Sequence, residues 1–165
     1  MPQEYTLQQA LQQAIHAKKE LRDFYRDAAR ITEDSAGQKV LQRLCDEVEE
    51  NIGKFFRHYR GNDLGSLEEF LASPPHPNSV MLVELRKALD KNVHAKRARE
   101  LALQEEKALA ESFRLSAKRM IDPLARNVFM EVAEDAERHY AIIESEYEYQ
   151  VARIHETDVG TYVRE

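Results

Sequence analysis

The stretch Val132-Ala133-Glu134-Asp135-Ala136-Glu137-Arg138-His139-Tyr140 decides the fold, because it reads as helix and has a counterpart earlier in the same chain. Shifted back by 88 residues, Glu137 falls on Glu49, Ala136 on Val48 and His139 on Asn51. The same offset pairs Ala14 with Ala102, Lys19 with Lys107, Ala29 with Ala117, Asp34 with Asp122 and Val40 with Val128. No gap is needed over about fifty residues, which marks an internal duplication. It also pairs Lys18 with Glu106. The repeat is least faithful on the apolar faces of the helices, where a fold of this type carries its chemistry.

Working outward from that repeat, the chain reads as four long helices. The first starts after a Thr6 cap, runs to about residue 33, and turns Leu7, Leu11, Ala14, Lys18, Leu21, Tyr25 and Ala28 inward at three- and four-residue spacing. Asp34-Ser35-Ala36-Gly37 makes a tight turn into a second helix ending near Arg60, with Val40, Leu41, Leu44, Val48, Asn51, Ile52 and Phe55 facing in. Gly61-Asn62-Asp63 then breaks the pattern. Residues 61–92 form the long connection, with a short helix at 66–72 capped by Ser66 and another from about Ser79 to Asp90. The third long helix carries Ala98, Ala102, Glu106, Leu109, Phe113 and Ala117 inward and ends near Met120. Asp122-Pro123 is an N-cap followed by proline at the first helical position. The last helix presents Phe129, Val132, Ala136, His139, Tyr140, Ile143 and Tyr147 and frays near residue 157. Two helical hairpins, about 7–60 and 95–148, joined by one crossover predict an all-α, single-domain (1–165) four-helix bundle of the ferritin-like kind.

Composition agrees with that reading and narrows the function. Of 165 residues, 33% are charged and 42% apolar, with five Gly, five Pro and no Trp, a mixture that favours helix. The net charge of −6 argues against a general affinity for nucleic acid or an anionic membrane. Lys96-Arg97-Ala98-Arg99, the nearest thing to a basic patch, reads as a solvated helix face. The lone Cys45 forms no internal disulfide and no Cys-x-x-Cys knuckle, and reads as a buried inert thiol. With neither a signal-peptide pattern nor about 18 consecutive apolar residues, the chain reads most simply as cytoplasmic.

Each long helix holds one polar residue in its inner stripe: Lys18, Asn51, Glu106 and His139. Charges so placed must be paired, bound to metal or reached by water. Here the chain resembles the rubrerythrin branch of the ferritin-like superfamily, over about residues 7–150. The resemblance rests on Ala14-Ile15 leading to Phe24-Tyr25 and Ala28-Ala29, and on the stretch from Val132 to Tyr140. It implies one Glu on the first and third helices, a Glu-x-x-His on the second and fourth, and two irons that react with peroxide or dioxygen.

Carried over position by position, those ligands fall on Lys18, Glu106, Val48 with Asn51, and Ala136 with His139. Of six expected ligands only Glu106 and His139 remain, and both bridging carboxylates have become apolar. A further third-helix carboxylate of the family falls on Leu109; of two supporting tyrosines, Tyr25 remains and the other is Phe113. Two ligands cannot hold two irons, and the four-cysteine tail that feeds electrons in many members is absent.

Three readings follow. In the first the site is degenerate, the protein is a non-catalytic binding or structural member, and Lys18 pairs with Glu106 in place of metal. In the second, Glu106 and His139 join Asp135 or Glu47 in a remodelled site for one iron or zinc, keeping metal-dependent oxidoreductase chemistry. In the third a partner meets the outer faces, and the resemblance implies a homodimer. No redox partner is named by the sequence. His16 and His94 fall off the inner stripes; His58, His76 and His155 lie at a helix end, in a Pro-rich loop and near the terminus. None of them has a partner at ligand spacing.

Overall fold

The structure, a computed structural model, describes residues 7–90 and 94–147, which form helices joined by turns and loops, with no strand among them. Six α-helices follow in order: α1 (Leu7–Ile31), α2 (Ser35–Phe56), α3 (Leu67–Ala72), α4 (Val80–Asp90), α5 (His94–Arg119) and α6 (Pro123–Ile142). A π-helical turn, Ile143–Tyr147, extends α6. The expected Thr6 cap and the last helix beyond residue 147 lie outside the described residues.

The helix starts follow their local chemistry. Asp34 caps α2 by accepting a hydrogen bond from the Gly37 amide at 2.8 Å, and Asp122 caps α6 ahead of Pro123 by accepting from the Leu124 amide at 3.1 Å. Ser66 and Glu69 exchange side-chain-to-amide bonds of 3.1 and 2.9 Å, so α3 opens with a reciprocal cap. Just before it, Gly65 takes φ +72°, and a Cβ there would lie 2.9 Å from Glu69 Oε1.

Two ends come earlier than the pattern suggests. α1 stops at Ile31, where the Thr32 hydroxyl donates to the Ala28 carbonyl at 2.6 Å. α2 stops at Phe56 rather than near Arg60, because Gln8 of α1 intercepts the chain. Its amide nitrogen donates to the His58 carbonyl at 3.1 Å and its oxygen accepts from the Arg60 amide at 2.7 Å.

α1 packs along α2 and α5 along α6, while α1 also meets α4 and α5, and α2 meets α6. The inner stripes are buried as their spacing requires, except that Leu7, Val40 and Tyr140 are half-buried; the Tyr147 side chain lies outside the described residues. Phe55, Phe113 and Phe129, from α2, α5 and α6, form a three-ring cluster with centroids 5.1–6.0 Å apart. Ring pairs at such separations stabilise by about 0.5–1.5 kcal/mol each beyond their burial.

The crossover is fastened by charge. Asp23, almost wholly buried, accepts from Lys19 at 2.7 Å and Arg22 at 2.9 Å. Those cations reach on to the Ser73 and Leu71 carbonyls at 3.1 and 2.9 Å, and Arg22 Nε also donates to Glu49 at 2.8 Å. The segment after α3 is thereby tied to α1 and α2. Cys45 is buried as expected, and burial pushes its thiol up to about 11.

Candidate functional site, a buried polar centre

The four residues singled out by the interrupted stripes are Lys18, Asn51, Glu106 and His139, from α1, α2, α5 and α6. All are buried, and Lys18, Glu106 and His139 are 0% exposed. Val48 and Ala136 are enclosed beside them, one turn before Asn51 and His139 on their helices.

Glu106 is held from two directions. Tyr25 donates its hydroxyl to Glu106 Oε2 at 2.6 Å, and His139 Nδ1 approaches the same oxygen at 3.2 Å. The second approach has ion-pair distance without hydrogen-bond alignment. On the other edge of the imidazole, Nε2 lies 3.0 Å from Glu47 Oε1. Glu47 is clasped in turn by Arg138 at 2.7 Å and Arg43 at 3.2 Å. A polar string therefore runs from Tyr25 through Glu106 and His139 to Glu47 at the half-buried edge.

Asn51 belongs to a second string. Its amide donates to Asp135 Oδ2 at 2.9 Å; Asp135 also meets Lys54 at 3.4 Å and Arg138 at 3.3 Å. Arg138 is the link between the two strings. Burial alone would raise both Glu47 and Asp135, but their hydrogen bonds and cations outweigh it and hold each below the ordinary carboxylate range.

Lys18 differs from its expected arrangement. A direct Lys18–Glu106 pair is not formed: Nζ has no hydrogen-bond partner, and Glu106 acts on it through space. Tyr25 and His139 engage the carboxylate through Oε2, and Glu106 Oε1 is left without a hydrogen-bond partner as well. Lys18 Nζ instead lies 5.7 Å from the centroid of the Phe113 ring. Burial lowers its pKa, with the negative field of Glu106, and then of Asp135 and Glu105, opposing the shift. Tyr25 moves the other way, raised well above a free phenol by burial and by the Glu106 charge.

Lys18, Val48, Asn51 and Ala136 occupy four of the six positions on which the resemblance places iron ligands, and among the described residues no group of three or more His, Cys, Asp or Glu is placed to hold a metal ion. The structure does bring Glu106 and His139 together. Asp135 sits on the other string, engaged by Asn51, Lys54 and Arg138. Glu47 meets the opposite ring nitrogen from Glu106, so the two carboxylates flank His139 rather than converge with it.

Sequence reading missed the role of Arg138 and the Lys19–Asp23–Arg22 cluster. The i,i+4 spacing of Lys19 and Asp23 was the available signal. Among the other histidines, His16 is exposed with its ring 5.7 Å from Phe70, and His76 Nδ1 accepts from the Asn78 amide at 3.1 Å. Residue 155 lies outside the described residues.

Compared with known protein families, with curated proteins and with solved structures, the chain finds no match.

Proposed function

We propose that this chain is a rubrerythrin-like, ferritin-fold four-helix bundle whose di-iron centre has been lost, serving as a non-catalytic binding or structural protein. The observation that carries the reading is Lys18, wholly enclosed in the field of Glu106 at a position where the resemblance expects an iron ligand. In its charged form Lys18 offers the remaining carboxylate, through space, positive charge that metals would otherwise bring. Val48 and Ala136 support the same reading, because apolar side chains fill positions where bridging carboxylates are expected. Self-association as a homodimer belongs to this proposal.

Metal content per chain tests it, on protein purified without tag or chelator and again after incubation with iron and zinc. A folded, helical protein that takes up no metal is the expected result. About one metal per chain, lost on His139→Ala, replaces the proposal with a mononuclear site built on Glu106 and His139. Two irons restore metal-dependent oxidoreductase as the function.

A further inference from the structure

Helices α5 and α6 leave between them a cleft of about 340 Å³, near the lower end of the sizes that hold small ligands. Glu106, Ala110 and Arg114 bound it from α5 at four-residue spacing, and Glu137 and Tyr140 bound it from α6. Four-residue steps place Ala110 about 6 Å and Arg114 about 12 Å along the helix from Glu106. Glu106 is wholly enclosed and forms the floor at one end. At the other end Arg114 closes on Glu137, with Nε donating to Oε2 at 3.1 Å and a second, parallel bond beside it. The wall between is mostly apolar, from Ala110 and the half-buried Tyr140.

Glu106 is spoken for on one oxygen only. Tyr25 and His139 engage Oε2, while Oε1 is buried without a hydrogen-bond partner, and Lys18 acts on the carboxylate only through space. A guest that donates to Oε1 recovers a bond that is costly to leave unmade. Charge selects among guests. Around the cleft Arg114 offsets Glu137, and the exposed Lys107 and Glu111 offset each other in number, so the charge of Glu106 is left over. An anion meets that charge at the floor, and the second ammonium of a diamine meets Arg114. A monoamine meets neither: its ammonium makes a charge-assisted bond to Glu106, with the Tyr140 ring beside it. We propose that the cleft between α5 and α6 binds a small primary amine with a short apolar body, its ammonium donating to Glu106 Oε1 and its body lying against Ala110 and Tyr140. The inference rests on the proposed reading that Glu106 holds no metal, and it gives the binding role a ligand class.

The test is amide chemical-shift titration of the metal-analysed full chain with benzylamine, benzyl alcohol and benzoate, which share a ring and differ in charge. Benzylamine is expected to give saturable shifts at Ala110, Arg114, Glu137 and Tyr140, and to bind about tenfold more tightly than the alcohol or the acid. Glu106→Gln should abolish the preference for amine over alcohol, and Ala110→Leu, which fills the cleft without touching the carboxylate, should weaken benzylamine by about tenfold or more. If a variant does not fold, the three probes on the wild type decide alone. Shifts that do not saturate or that map elsewhere, equal affinity for amine and alcohol, or an Ala110→Leu protein that binds as well as wild type overturn this inference and leave the proposed function standing. Metal found on Glu106 overturns both.

Discussion

Replacing Lys18 with methionine separates a through-space interaction from a true ion pair. Methionine is unbranched and of similar reach, so it fills the space beside Phe113 without its neighbours having to move. The wild-type amine carries the desolvation cost of full burial and has no protein hydrogen bond to offset it. An unsatisfied buried polar group costs about 1–3 kcal/mol, and exchanging buried ionic groups for apolar ones is often neutral or stabilising. The field of Glu106 offsets part of that cost, so Lys18→Met is expected to stabilise the fold by about 1–2 kcal/mol at neutral pH. For a chain of this size that raises Tm by about 2–8 °C. Urea unfolding read by circular dichroism is the assay, repeated from pH 7 to 10. The folded-state pKa of Lys18 lies below its unfolded value of 10.5, so between the two the unfolded chain binds more protons. Wild-type stability therefore rises with pH through that window relative to the variant, and the advantage of Lys18→Met shrinks as pH approaches 10.5. A variant less stable than wild type by about 3 kcal/mol, the size expected on breaking a buried pair, refutes the reasoning and restores direct contact with Glu106.

Tyr25→Phe removes the 2.6 Å hydrogen bond to a buried carboxylate and is expected to cost about 1.5–3 kcal/mol. Urea midpoints measure it, and a loss below about 0.5 kcal/mol contradicts the bond's role. Asp23→Asn removes the negative charge shared by Lys19 and Arg22 and turns one of their two acceptor oxygens into an NH2 donor, with an expected loss of about 3–5 kcal/mol in urea unfolding. Limited proteolysis should then cut first between residues 61 and 79, since Lys19 and Arg22 hold the Ser73 and Leu71 carbonyls; unchanged digestion argues against the fastening. Cys45, with its thiol pushed up to about 11 and its side chain enclosed, should resist thiol reagents at pH 8 in the native protein and react on unfolding. Rapid native labelling overturns that placement.

Much of the fold is legible in the sequence because helix signals are local. Ser66 and Asp122 cap where their residue types suggest, Asp34 caps α2 where a tight turn over 34–37 was expected, and three- and four-residue spacing identifies most of the buried stripes. The early end of α2 is not local, since Gln8 imposes it across fifty positions of sequence. The candidate site divides in the same way. Burial of Lys18, Asn51, Glu106 and His139 follows from helical period, but hydrogen-bond partners depend on distances between helices that no spacing rule contains.

By itself, then, the sequence determined a helical chain with a duplicated pattern and four polar residues turned into its interior. Those are properties of one helix at a time, set by side-chain period and capping. Only the tertiary structure decided that Tyr25 and His139 take Glu106, that Asp135 goes to Asn51 and Arg138, and that Lys18 is left with a field instead of a partner. Hydrogen bonds fall off within a few tenths of an ångström and require alignment, so which side chains reach Glu106 is settled by packing between helices.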